Sequence, residues 1–294
     1  MLRFYKYQGA GNDFLIADNR DGSISENGGM LTLRGSDGRS MQVRIEDICD
    51  RRYGVGADGL MLLENSDEYD FRMVYYNSDG SGGMMCGNGG RCIVAFAADM
   101  GLEHFDFEAA DGFHTAQITG VEGACRTVRL KMKDVSSATG YESLDGVKVP
   151  SDGWFLDTGT RHYVRMVEGL DAYDIVSEGR DIRYNAAELM PVGANVNYVE
   201  PAGDHIKVRT YEKGVEDETY ACGTGIVASS MASFLGGVCP SEVLEGGRVR
   251  YDVRALRDSL AVDFIPSAGE VAGFSDVWLT GPATYVAEIL LKDI

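Results

Sequence analysis

The chain has 294 residues, 44% hydrophobic and 25% charged, with a formal net charge of −19. That length supports two ordinary domains with real cores, and the acidic balance argues against nucleic acid or an anionic membrane as the main partner. No apolar run reaches the roughly 18–20 residues of a membrane span, the N-terminus lacks a signal-peptide core, and six scattered cysteines do not make a disulfide scaffold, so a cytoplasmic protein with reduced thiols is expected.

Residues 2–7 read as a strand, broken by a tight loop at Gly9, Ala10, Gly11 and Asn12 and followed by a second strand over 14–17. Residues 21–38 are polar and glycine-rich, with short apolar runs on either side of Gly35-Ser36-Asp37-Gly38, which predicts a surface hairpin. A short helix is expected over 45–53, then strands over 60–63 and 69–76. The loop 77–83 delivers Cys86-Gly87-Asn88-Gly89, followed by a helix-length run of small and apolar residues from Cys92 to Ala98. Strand-like runs follow near 105–108, 114–119 and 128–132.

The second half repeats this order. Val192-Gly193-Ala194-Asn195 answers Val55-Gly56-Ala57-Asp58, Tyr211-Glu212 answers Tyr76-Asn77, and Cys222-Gly223-Thr224-Gly225 answers Cys86-Gly87 at offsets of 137, 135 and 136. Three landmarks in one order at nearly one spacing indicate an internal duplication, one copy per half. The boundary between the halves is expected near 133–140, and the residues left over, 276–294, read as closing strands.

A Cys-Gly-x-Gly segment opening a helix sets a thiol beside backbone N–H groups without helical partners and at the positive end of the helix dipole. That setting lowers a thiol's pKa and accepts a carboxylate. Two related domains would bring two such helix starts, and two thiols, to either side of whatever binds between them. Inversion of a carbon centre needs that arrangement, one base removing hydrogen from one face and another returning a proton to the other. The α-hydrogen of an amino acid is far less acidic than a thiol, and each pK unit of mismatch costs about 1.4 kcal/mol. A helix dipole supplies only about 0.3–2 kcal/mol, so preorganised donors, each worth roughly 3–4 kcal/mol, must carry more of the load. The backbone N–H groups of Gly87, Asn88, Gly223 and Thr224 are the candidates. The chain carries neither a pyridoxal-lysine signature nor a dinucleotide loop, and no metal-ligand spacing; chemistry without cofactor or metal is expected.

The residues that carry these features also carry a family likeness. Gln8-Gly9-Ala10-Gly11-Asn12-Asp13-Phe14, Gly54-Val55-Gly56-Ala57-Asp58-Gly59, Asn77-Ser78-Asp79-Gly80, Cys86-Gly87-Asn88-Gly89, Asn195-Val196-Asn197 and Tyr211-Glu212 through Ala221-Cys222-Gly223-Thr224-Gly225 closely resemble the diaminopimelate epimerases over nearly the whole chain. The resemblance implies an α/β fold of two pseudo-symmetric domains, each a barrel-like, mostly antiparallel sheet around a central helix, and commonly a homodimer. The resemblance further implies that the last strand returns to the first domain, giving an N-terminal domain over 1–134 with a closing strand over 277–294 and a C-terminal domain over 135–276. It also implies interconversion of LL- and meso-2,6-diaminoheptanedioate with Cys86 and Cys222 as acid/base pair. Asn12, Asn77, Asn197 and Glu212 are implied substrate contacts, and His162 lies near the reacting centre. Thr160-Arg161-His162 stands where Asn-Pro-His or Ser-Pro-His is usual, and Lys213 follows Glu212 where arginine is usual. Arg161 or Lys213 is therefore the expected cation for the distal carboxylate, and a sister racemase of another amino acid is the alternative. A thiol-disulfide oxidoreductase and a non-catalytic amino-acid-binding protein are the readings from other classes. Cys49, Cys92, Cys125 and Cys239 read as small core hydrophobes, and His104, His114 and His205 as surface or packing residues.

Overall fold

A computed structural model describes residues 3–35, 38–83, 85–138, 153–186, 189–267 and 272–291. The predicted surface hairpin keeps its strands, but Ser36 and Asp37 of its turn lie outside the described residues, as does the end of the closing strand beyond 291. The chain forms two compact units, Met1–Leu130 with Pro282–Ile294, and Lys131–Gly281.

In the first unit β1 (Arg3–Gly9) and β2 (Asn12–Asp18) make an antiparallel hairpin, with Tyr5 opposite Ile16 and Gly9 opposite Asn12. Its two turn residues, Ala10 and Gly11, have φ of 51° and 97°, the doubly positive backbone whose twist suits a two-residue hairpin. The turn ends on Asn12 and so sets that side chain at the start of β2. Strands β3 (Ile24–Asn27), β4 (Met30–Arg34) and β5 (Ser40–Arg44) form a separate antiparallel sheet, followed by the short helix α1 (Ile45–Cys49). Leu31, Leu33, Val43, Ile45 and Ile48 from this layer pack with Leu15, Leu60 and Leu62 in one apolar cluster. β6 (Gly59–Glu64) runs parallel to β2, and β7 (Phe71–Asn77) antiparallel to β6. After helix α2 (Gly87–Asp99) come β8 (Asp106–Ala109), parallel to β7, then the antiparallel β9 (Gly112–Glu122) and β10 (Cys125–Lys131).

The second unit contains β11 (Val135–Ala138), β12 (Gly153–Asp157), β13 (Arg161–Met166), α3 (Ile175–Asn185), β14 (Asn195–Pro201), β15 (Ile206–Glu212), β16 (Asp217–Thr219), α4 (Gly223–Leu235), β17 (Glu242–Val243), β18 (Val249–Arg254), β19 (Ser259–Pro266) and, up to Gly281, the first part of β20 (Ala272–Leu290). Its pairings repeat the first unit's sense for sense. β12–β13 is antiparallel, β13–β14 parallel, β14–β15 antiparallel, β15–β18 parallel and β18–β19 antiparallel. β19 pairs with the first part of β20, and β11 sits between β20 and β12. The far part of β20 pairs with β1 and β10 and closes the first ring of eight strands.

In each ring the helix is inserted at the same place, between β7 and β8 or between β15 and β18, and packs against strands of its own ring. Apart from Arg91 of α2, the buried residues of both helices are apolar or small. Residues Gly87 to Ala97 of α2 and all but Thr224 of Gly223 to Ser233 of α4 are buried, as expected of a helix enclosed by a core. The outer layers differ: β3–β5 and α1 occupy the place between β2 and β6 that α3 occupies between β13 and β14. Helix α3 packs against β14 and β15 and covers Tyr198 and Tyr211.

Hydrogen bonds explain where the units divide. Met132 N–H donates to the Val277 carbonyl, Val277 N–H to Asp134, and Lys131 is paired with Asp276. These bonds tie residues 131–134 to residues 276–277, all of them in the second unit. Two of the four cysteines read as core residues are not buried: Cys125 is half-buried at the start of β10 and Cys239 is exposed in the loop after α4. Cys49 and Cys92 are buried. The short helix ends at Cys49 rather than at residue 53 because Asp50 is extended and its carboxylate accepts from the Arg52 and Tyr53 N–H groups instead.

The buried α2 helix supplies a stability prediction. Ile93 is fully buried, so Ile93→Ala should cost about 2–5 kcal/mol, whereas truncating the exposed Tyr53 should stay within about 0.5 kcal/mol. Chemical denaturation of the two variants checks this; equal midpoints would contradict an enclosed α2.

Candidate active site

In the first unit Cys86 is the N-cap of α2. Its backbone is extended (φ −113°, ψ 153°), its carbonyl accepts the first helical bond from Gly90, and its Sγ accepts from the Gly89 N–H at 3.2 Å. Gly87 and Asn88 thus belong to the turn that precedes the first helical bond, where N–H groups point along the positive end of the dipole. Asn88 donates its amide to Asn12 Oδ1, and Asn12 donates to Asp58 Oδ2 at 3.0 Å. Asp58 also accepts from the Asp13 N–H and from Arg51. Burial opposes ionisation of Asp13, but its bonds to Arg51 and Lys6 hold its carboxyl down at about 2. Arg91 has no exposed surface; it donates to the Gly87 carbonyl at 3.1 Å, to Asn88 Oδ1 at 2.9 Å and to the Pro282 carbonyl at 3.3 Å. The first turn of α2 is therefore braced from within the helix by a guanidinium and from β2 by an asparagine. Asn77 stands at the end of β7, its amide donated to Ser81 Oγ at 3.0 Å.

In the second unit Cys222 is the N-cap of α4 and 8% exposed. Its Sγ lies 3.4 Å from Thr224 Oγ1, which is 3.0 Å from His162 Nε2. His162, on β13, is fully buried, and burial pushes its imidazole down to about 3. Its Nδ1 faces the Asn197 amide nitrogen at 3.1 Å. Asn197 is oriented from both ends: its Oδ1 accepts from Thr210 at 2.9 Å, and its Nδ2 donates to the Tyr163 carbonyl at 3.3 Å. Nδ1 is therefore the acceptor, and the neutral ring carries its hydrogen on Nε2. Gly225 lets this cluster close, because a Cβ there would lie 2.4 Å from Asn197 Oδ1. Glu212 ends β15 as Asn77 ends β7, and accepts from Thr219 at 2.8 Å. Lys213 is exposed, its N–H donated to Asn195 Oδ1, and the Arg161 guanidinium stacks 5.0 Å over the Phe155 ring.

Each thiol thus occupies the same position, the N-cap of a helix enclosed by its own ring. Comparison with known proteins agrees with this architecture. Residues 4–136 match the family model for diaminopimelate epimerase. The diaminopimelate epimerase of Chlorobaculum tepidum is 42% identical over 286 residues, covering 95% of this chain and 96% of that one.

The chain belongs to the diaminopimelate epimerase family.

The family's enzyme from Flavobacterium psychrophilum is 37% identical over 290 residues, 98% of this chain and 99% of that one. As a member of the diaminopimelate epimerase family the chain is an isomerase. Solved structures share the fold at low identity: a probable proline racemase from Agrobacterium radiobacter K84 (TM-score 0.63, 15% identity, 99% of this chain and 93% of that one) and a Bacillus anthracis phenazine biosynthesis protein of the PhzF family (TM-score 0.63, 16%, 99% of each).

Within this diaminopimelate epimerase family member, the first unit joins Asn12 and Asn88 by a hydrogen bond, and the second joins His162, Asn197, Thr224 and Cys222. Asp58, Arg91 and Thr158 were not among the candidate site residues, and Thr160 was noted only as a departure from the family pattern, yet all four hold these clusters. Asp58 stands inside a recognised motif and Arg91 two residues past one, which was the available signal.

The buried imidazole gives a pH prediction. Unfolded histidine titrates near 6.5 and folded His162 at about 3, so between those values the unfolded chain binds the additional proton. The stabilisation is complete above pH 6.5 and is lost as pH falls towards 3, by up to about 1.4 kcal/mol per pH unit. Unfolding midpoints measured from pH 7 to 4 should fall, and His162→Gln should flatten that fall. Identical slopes would contradict a ring held neutral by burial.

Proposed function

We propose that the protein interconverts LL- and meso-2,6-diaminoheptanedioate without a cofactor, Cys86 and Cys222 acting as the two acid/base groups. One thiol removes the α-hydrogen and the other returns a proton to the opposite face. The observation that carries this reading is the repetition: a cysteine caps the inserted helix in both rings, at equivalent points of two strand orders that match in sense throughout. N–H groups of the first turns, including those of Gly87, Asn88, Gly223 and Thr224, would receive the substrate carboxylate as the carbanion forms. Asn12, Asn77, Asn197 and Glu212 would orient the amino acid, and neutral His162 would act as a donor rather than a cation. The same reading carries a role in lysine and peptidoglycan-precursor synthesis, a cytoplasmic setting and a homodimer.

Incubation with LL-diaminopimelate in D₂O should place deuterium at the α-carbon and yield the meso epimer. Cys86→Ala and Cys222→Ala should each lower epimerisation by at least about a thousandfold. Undiminished epimerisation in either variant would overturn the two-thiol mechanism, and absence of α-exchange by the parent would overturn the epimerase.

A racemase of another amino acid is the second reading, favoured by Thr160, Arg161 and Lys213. For diaminopimelate the distal carboxylate calls for a cation, supplied in our reading by Arg161 or Lys213, although lysine lacks the bidentate fork of arginine. At least one of Arg161→Ala and Lys213→Ala should raise KM for diaminopimelate tenfold or more, roughly the loss of one charge-assisted bond. Unchanged turnover in both, with faster turnover of a smaller amino acid by the parent, would favour the second reading.

A further inference from the structure

Thr160 belongs to a turn that holds Thr224 at both ends. Thr158 Oγ1 donates to the Thr224 carbonyl at 3.0 Å, and Thr160 Oγ1 lies 3.1 Å from the Thr224 hydroxyl oxygen. The Thr160 oxygen is also 2.9 Å from His162 Nε2. His162 Nε2 and the two threonine oxygens therefore form a closed triangle, with Cys222 Sγ beside its Thr224 corner.

The hydrogens in this cluster can be counted. His162 Nε2 carries one hydrogen, because its Nδ1 accepts from Asn197, and each threonine carries one. Nε2 cannot accept, so neither threonine can donate to it. The Nε2 hydrogen is shared between the two hydroxyl oxygens. When Cys222 Sγ is a thiolate it can only accept, so the Thr224 hydrogen is directed at it in a charge-assisted bond, and the Thr160 hydrogen goes to the Thr224 oxygen.

We propose that Thr160 is a positioning residue for Cys222, holding the Thr224 hydroxyl as a hydrogen-bond donor to the Cys222 thiolate. The proposal rests on Cys222 being one of the two acid/base thiols and assigns a task to a residue that departs from the usual family pattern. The titratable group in this chain of contacts is His162 on β13. Of the other charged groups on strands packed against α4, Arg161 stacks on Phe155, Asp157 accepts from the Gly159 N–H, Glu200 from the Gly169 N–H and Glu212 from Thr219. Arg165 pairs with Glu178, Lys207 with Asp171, Arg209 with Glu218, Asp263 with Arg248 and Arg250 with Asp252. Thr160 is exposed, so its substitution leaves the core intact.

The test is the pH dependence of thiol modification in the full chain by a small uncharged reagent, methyl methanethiosulfonate, read separately at the Cys222 and Cys86 peptides by mass spectrometry. Thr160→Val should move the Cys222 midpoint up by about half to one pH unit and leave the Cys86 midpoint in place. Thr160→Ser should restore the parent value. The acid limb of kcat/KM should move in the same direction as the Cys222 midpoint. A Cys222 midpoint unchanged in Thr160→Val, or displaced equally in Thr160→Ser, would overturn the proposal. The modification readout does not depend on turnover, so failure of α-exchange in the parent would count against the epimerase reading alone.

Discussion

The constraint on which the structure depends is that a helix apolar on all sides must be enclosed, while its first turn keeps N–H groups that the helix itself cannot satisfy. Eight strands around α2, and eight around α4, meet the first requirement. A cysteine at the N-cap answers part of the second, as the Gly89 N–H bond to Cys86 Sγ shows. The glycines that follow are needed because a side chain in that turn would meet its neighbours, as the Gly225 position shows against Asn197. Burial of the helix and the placing of a sulfur at its N-cap are thus consequences of one packing solution used twice, while the side-chain cap bond is made by Cys86 and not by Cys222.

The two copies share a scaffold but not a chemical lining. Around Cys86 the first unit gathers charge: Asp13, Asp58, Arg51 and Lys6 beside β2, and the buried Arg91 within α2. At the corresponding place in α4 the chain has Val227. Around Cys222 the second unit gathers neutral donors, a histidine whose proton sits on Nε2 and a set of threonine hydroxyls. A cation inside a helix's first turns adds to the dipole's positive end, whereas hydroxyl donors act only over hydrogen-bond distance. Two thiols in equivalent backbone positions therefore sit in electrostatic settings of different range. Such a difference suits a reaction whose two directions start from different stereochemistry at the α-carbon.

Much of this was legible in the sequence because its causes are local. Capping depends on a few consecutive residues, and Cys-Gly-x-Gly before a small apolar run announces an enclosed helix in both halves. The near-constant offset of the motifs announced the duplication, and the glycines at 56 and 193, both with positive φ, mark the same turn before β6 and β14. Helix α3 was not legible, because within it only Ile175 and Gly179 are buried and its apolar face, completed by the partly buried Ile182, is narrow and set among charged residues. Its start is set by Asp174, which caps the Ser177 N–H. The threonine triangle was beyond reach for a different reason: Thr160 and Thr224 are 64 residues apart, and nothing in either neighbourhood signals the contact.

The central claim is that both capping thiols serve one substrate carbon. A crystal structure of the protein with diaminopimelate bound, in a Cys86→Ser, Cys222→Ser variant that holds the substrate unreacted, measures this directly. The account predicts the α-carbon within about 4 Å of both serine oxygens, one on each face, with the carboxylate on N–H groups of the helix starts. An α-carbon near one of these oxygens and out of reach of the other would contradict it.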